Sequence, residues 1–187
     1  MPPKVKVQRT DIINAAISLV REGGEGSLNT RDVAARLNCS TQPIFSNFAD
    51  MESLKCAVIK EAEAIFERSM NEEILSGKYP PYKASGMAYI KFAKEERELF
   101  RLLYMRSREI EKEDEGSGLW DMMGGLVREN TGLSGDAVNL FHLEMWSCVH
   151  GIAVMMATGY FELDWETVSR ILTDVYQGLK KRCGTEK

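Results

Sequence analysis

The stretch SLNTRDVAARLNCSTQPIFSNF, from Ser27 to Phe48, leaves this chain few structural options. Two short runs with apolar residues at helical spacing flank the polar break Asn38-Cys39-Ser40. The break is too short for a long loop and too polar for one continuous helix, so the spacing predicts a helix-turn-helix. In the first helix Asn29 and Thr30 are candidate N-caps, and Val33, Ala34 and Leu37 share a face. Asn38 stands where a left-handed cap is wanted, a conformation that Asn tolerates better than most residues. Ser40 or Thr41 can cap the second helix. Pro43, lacking an N–H, fits only its first turn, and Ile44, Phe45 and Phe48 form the packing side. Thr41, Gln42, Pro43, Ser46 and Asn47 are left facing out. These residue types suit a DNA major groove: amides bond adenine in bidentate fashion, hydroxyls are permissive, and Pro or a Thr methyl can touch thymine. An ordinary helical corner with a wet polar face has the same spacing.

The run from Gly26 to Leu54, with LNTRDVAARLNCS, TQPIFSNF and ADMESL, resembles the DNA-binding domain of the TetR family of bacterial transcriptional regulators. The resemblance implies an all-α protein with a three-helix head over residues 1–50. A long helix would join that head to a helical ligand-binding and dimerisation domain over residues 51–187. It implies that Thr41, Gln42, Ser46 and Asn47 read bases beside Pro43, that Thr30, Arg31, Ser40 and Lys55 hold phosphate, and that Phe45 packs on sugar or core. The chain departs from the family in two places. Phe45 stands where a tyrosine is usual in the recognition helix, and Met51 where a lysine usually opens the next helix. Both usual residues would contact phosphate. Two functional readings therefore stand side by side: a dimeric repressor that a small apolar ligand releases from DNA, and an interaction protein on the same scaffold with weakened DNA binding. A two-fold dimer would demand a near-palindromic operator with half-sites about 34–36 Å apart, or a multiple of that.

Charge is divided unevenly. The net charge of −4 argues against a general coat for nucleic acid, yet residues 1–60 hold eight Lys/Arg against six Asp/Glu, leaving sixteen against twenty-two for the rest. Lys4, Lys6 and Arg9 form a basic leader that can follow phosphates or enter a minor groove, or merely solubilise the terminus. The four cysteines form no Cys-x-x-Cys pair and the N-terminus has no apolar signal core, which together predict a cytoplasmic protein.

Helical periodicity continues down the chain. Thr10 or Asp11 can start a first helix that Gly23-Gly24 stops, and Asp50 caps a long helix over about Met51 to Leu75. The polar segment KEERE divides Tyr82–Met105 into two helices or a bend. Leu119–Glu129 is helical, Ser134 caps a helix ending near Thr158, and Asp164 caps the last one. The helix from Gly135 to Thr158 is apolar nearly all round in its second half and must be covered on two sides. A membrane span over Met145–Phe161 is slightly short, contains His150 and two glycines, and is flanked by Glu144 and Glu162. Pairing with a second copy accounts for it better. The residues expected at that interface are Phe141, Met145, Cys148, Gly151 and Ile152, with Val168, Ile171, Leu172, Val175 and Leu179 of the last helix. A short Trp146…His150-Gly151 motif also resembles a signature in one branch of the family's C-terminal domains.

No nucleophile elbow, phosphate loop or dinucleotide glycine pattern is present, so the chain is read as a non-enzyme with no cofactor. His142 and His150 read as core or interface residues rather than metal ligands. Phe66, Phe100, Leu103, Tyr104, Met122, Met123, Met155, Met156 and Phe161 are candidate walls of an apolar ligand cavity, since methionine walls adapt to varied ligands; the same residues would serve as plain core.

Overall fold

The computed structural model describes residues 7–106 and 117–185. Among these there are nine α-helices and no strand: α1 (Arg9–Gly23), α2 (Thr30–Arg36), α3 (Gln42–Asn47), α4 (Met51–Leu75), α5 (Pro81–Glu95), α6 (Arg97–Tyr104), α7 (Ser117–Thr131), α8 (Asp136–Ala157) and α9 (Trp165–Thr185). The chain forms two compact units, the first from Met1–Glu67 with Glu96–Arg106, the second from Arg68–Glu95 with Ser107–Lys187. The first unit thus takes in much of α4 and all of α6, beyond the expected 1–50.

In the first unit α1 lies at the centre, against α2, α3 and α6. Ile12, Ala15, Ala16, Leu19 and Val20 turn one face inward, and Leu54, Val58, Ala62 and Phe66 do the same along α4. The start of α1 differs from expectation. Gln8 is its N-cap, in a capping box with Asp11, because the Asp11 carboxylate accepts the Gln8 N–H at 2.9 Å. Gly24, at φ 72°, ends the helix. Arg21 then ties α1 to the start of α6 through paired hydrogen bonds to Glu96 at 2.7 and 2.8 Å. The α4 entrance is a second reciprocal cap: the Ser53 N–H donates to Asp50 Oδ1 at 2.7 Å, and the Asp50 N–H to Ser53 Oγ at 3.2 Å.

In the second unit α5 packs on α8, α9 and α7. Gly86 sits where α5 crosses α8 and α9: a Cβ there would stand 3.3 Å from Val149 of α8 and 3.3 Å from Leu172 of α9. Two tyrosine–histidine pairs fasten α5 to α8. Tyr82 Oη bonds His142 Nδ1 and Tyr89 Oη bonds His150 Nδ1, each at 2.9 Å. Trp120 packs edge-on against His142, and Trp146 stacks on His150. Burial lowers both histidine pKa values and raises that of Tyr82, favouring the neutral forms. Arg182 grips Glu144 with two bonds, at 2.8 and 2.6 Å, fixing α9 to α8. Asp164 caps α9, accepting the Thr167 N–H at 2.8 Å. The cap expected at Ser134 falls instead at Gly135, with no side-chain bond.

By length and apolarity α8 could cross a bilayer. One side of it is packed inside the unit: Phe141 and Met145 join Val127 and Val138 in one cluster, against which Tyr82, Val175, Tyr176 and Leu179 pack. The residues expected at a copy-to-copy interface differ in exposure within the single chain. Phe141, Met145, Ile152, Val168 and Leu172 are buried by their own chain, and Val175 and Leu179 are half-buried. Cys148 and Ile171 are half-buried, and Gly151 is exposed. The outward stripe of α8 is Leu140, Leu143, Ser147 and Gly151, with Leu140 52% and Leu143 47% exposed. In the sequence this helix is apolar on more than one face, and spacing alone could not say which side its own chain would leave uncovered.

Candidate nucleic-acid interface

The turn between α2 and α3 is built as its residues require. Asn29 caps α2, its Oδ1 accepting the Asp32 N–H at 3.0 Å. At the other end Asn38 takes φ 50°. The Asn38 N–H reaches Ala35 O at 3.1 Å, and the Cys39 N–H reaches Ala34 O at 3.0 Å. These are the two bonds of a Schellman cap, which satisfies carbonyls a helix end otherwise leaves orphaned. The chain can then start α3 within a few residues.

Ile44 and Phe48, 1% and 3% exposed, anchor α3 in the unit. Phe45 does not pack with them as expected. It is 54% exposed, because one helical step from Ile44 carries its ring off the inward side. Gln42 and Ser46 are exposed as well. The Gln42 side-chain amide makes no hydrogen bond among the described residues, so its full donor and acceptor capacity points outward. Thr41 stands at the N-cap position but in a helical conformation, with no capping bond from its hydroxyl. Asn47 is less available, since its amide donates to Pro43 O at 2.8 Å, and the Ser46 hydroxyl donates back to Gln42 O at 3.0 Å. α3 borders an open cleft of about 1370 Å³, lined by Asp11, Asn14 and Ser18 of α1, the turn, and Gln42, Pro43, Ser46 and Asn47 of α3.

The cations expected at phosphate differ in how free they are. Arg31 is exposed at the start of α2 and makes no ion pair among the described residues. Lys55 is paired to Glu25 at 2.5 Å, and that hydrogen bond raises its pKa. Arg9 caps the end of α3: its Nη1 donates to Asn47 O at 2.8 Å and its guanidinium lies 4.0 Å over the Phe48 ring. Thr30 opens α2 and Ser40 is exposed in the turn. Lys4 and Lys6 lie outside the described residues.

The expected cavity residues fall in both units. In the first, Phe66, Phe100 and Leu103 are buried, and Tyr104 packs on Phe66 and Phe100 with ring centres 6.0 and 5.2 Å apart. In the second, Met123 and Met156 are buried and Met155 half-buried. Met122 and Phe161 are exposed at the surface instead of turned into the unit.

A family model described as the tetracyclin repressor-like C-terminal domain matches residues 82–176, just over half of the chain. The chain belongs to the TetR family. It is accordingly a transcriptional regulator, of a family whose members bind DNA. Solved structures share the TetR fold. A TetR-like transcriptional regulator from Rhodococcus sp. RHA1 is similar with a TM-score of 0.64 at 14% identity, covering 99% of this chain and 100% of that one. A TetR family protein from Vibrio parahaemolyticus gives 0.65 at 16%, covering 91% and 97%. The multidrug binding protein EbrR, solved with imidazole, gives 0.57 at 18%, covering 89% and 88%. No curated protein matches the sequence. The family model lies wholly outside the helix-turn-helix, so the head and the C-terminal half point to the TetR family separately.

Proposed function

We propose that this TetR family regulator is a dimeric repressor that holds a near-palindromic operator and leaves it when a small apolar molecule occupies its C-terminal domain. One observation carries the reading: α3 is anchored by Ile44 and Phe48 while the unbonded amide of Gln42 faces outward, a rigid helix offering a free bidentate group. In this reading Gln42 and Thr41 contact base edges with Ser46, and Arg31, Thr30 and Ser40 hold phosphate. Lys55 joins them by exchanging Glu25 for a phosphate. The second copy pairs through the outward stripe of α8, where Leu140 and Leu143 offer apolar surface and Gly151 allows close approach. A ligand releases DNA only by its differential affinity for the conformation whose heads are wrongly spaced. The EbrR structure with imidazole supports this only by analogy.

The test is selection of bound DNA from a random pool, followed by salt-dependent gel shifts on the selected site and on random DNA. Gln42→Ala should lower discrimination more than non-specific binding, by roughly 1–3 kcal/mol at one position of each half-site. Equal losses on both DNAs would remove Gln42 from base reading. No selected site at all would favour the interaction-protein reading.

A further inference from the structure

We propose that Phe45 is a specificity-determining residue, reading the 5-methyl group of a thymine one or two base pairs from the position Gln42 contacts. The inference rests on the proposed DNA-binding function and adds a chemical signature to it. Ile44 and Phe48 hold α3 from within, and Gln42, Pro43, Ser46 and Asn47 border the cleft against α1. Phe45 stands clear of both, half in solvent, three residues after Gln42 and beside Ser46. About half of the phenyl ring is covered by its own chain, and the exposed half leaves apolar surface in water, which is unfavourable.

The ring has neither donor nor acceptor, so it cannot hold a phosphate oxygen. Among major-groove base edges only the thymine methyl is apolar. Its location follows from helix geometry. Residues three apart on a helix have Cβ atoms about 5–6 Å apart, whereas successive bases rise about 3.4 Å along a strand. A helix that places Gln42 against one base edge therefore brings Phe45 over the next or the next but one.

The experiment uses the full chain and the site selected from random DNA, with each thymine replaced in turn by deoxyuridine, which lacks only that methyl. For the unaltered protein, one position per half-site, within two base pairs of the one whose preference Gln42→Ala relaxes, should lose about fourfold in affinity, the worth of one buried methyl-sized group. In Phe45→Ala that loss should vanish while the others remain. Phe45→Leu should keep most of it. Because about half of the ring is covered, Phe45→Ala should melt somewhat below the parent protein and Phe45→Leu close to it; the melting curves serve as the folding control, and binding is compared at a temperature where all three are folded. If Phe45→Ala weakens thymine and uracil sites equally, the ring packs on the sugar and the proposal is overturned. If no position is sensitive to uracil although the site is bound specifically, it is likewise overturned. If the unaltered protein selects no site, the proposed function fails and this inference with it.

Discussion

Gly86 sets how closely three helices of the second unit approach, and substituting it opposes two known effects. Alanine in place of glycine inside a helix gains about 1 kcal/mol of propensity. At Gly86, however, the new methyl would stand 3.3 Å from Val149 Cγ2 and 3.3 Å from Leu172 Cδ1, both on buried side chains. Val149 is β-branched and has little rotamer freedom with which to withdraw. Overpacking of this kind costs roughly 1–3 kcal/mol, so Gly86→Ala should destabilise by about 1 kcal/mol net. The larger Gly86→Val should cost clearly more. All three tryptophans, Trp120, Trp146 and Trp165, lie in this unit, so denaturation followed by tryptophan fluorescence at fixed protein concentration reports on it. A double-mutant cycle isolates the contact. Val149→Ala alone should cost about 2 kcal/mol. Combined with Gly86→Ala it should cost about 1–2 kcal/mol less than the sum, because the new methyl enters the space vacated. Gly86→Ala stabilising by the full propensity gain, with additive behaviour in the cycle, would refute the close crossing.

Other predictions concern the head and the pH response. At Asn38, held at φ 50°, glycine should be close to neutral, whereas valine should destabilise the first unit by about 1–2 kcal/mol, measured by hydrogen exchange in α2 and α3. Glu25→Gln releases Lys55 from its ion pair; operator affinity at low salt should rise, and the salt slope should steepen by about 0.9 for each phosphate gained. An unchanged slope would mean that Lys55 does not reach DNA. The histidine pKa values in the folded protein lie below the ordinary 6.5, so the unfolded chain binds more protons over that interval. Stability should therefore be complete above about pH 6.5 and fall on acidification until the folded-state values are reached. His142→Gln should flatten part of that fall in urea melts taken between pH 7 and pH 5, and an unaltered profile would remove His142 as its source.

Local grammar was legible from the residues alone. Helix ends follow from contacts a few residues apart, so the Asn29 cap, the left-handed Asn38, the Asp50 and Asp164 caps and the Met51–Leu75 helix could all be read from the chain. So could the division of Tyr82–Met105, which breaks at Glu96. Facing could not. Periodicity shows that α8 is apolar on more than one face, but only packing against α5, α7 and α9 decides that Phe141 and Met145 turn inward while Leu140 and Leu143 face out. The same limit applies in α3, where apolar character grouped Phe45 with Ile44 and Phe48 although its ring is exposed. Lys55 and Arg9 were legible as basic residues. Their partners, Glu25 and the end of α3, lie about thirty or more residues away in the chain, and only folding brings such groups together. Where a cap is closed by residues a few positions away, as at Asn29, Asn38, Asp50 and Asp164, sequence determines it; which apolar face is covered, which charge is neutralised and a cap closed from afar, as Arg9 closes α3, depend on distant segments, and only the tertiary structure decides them.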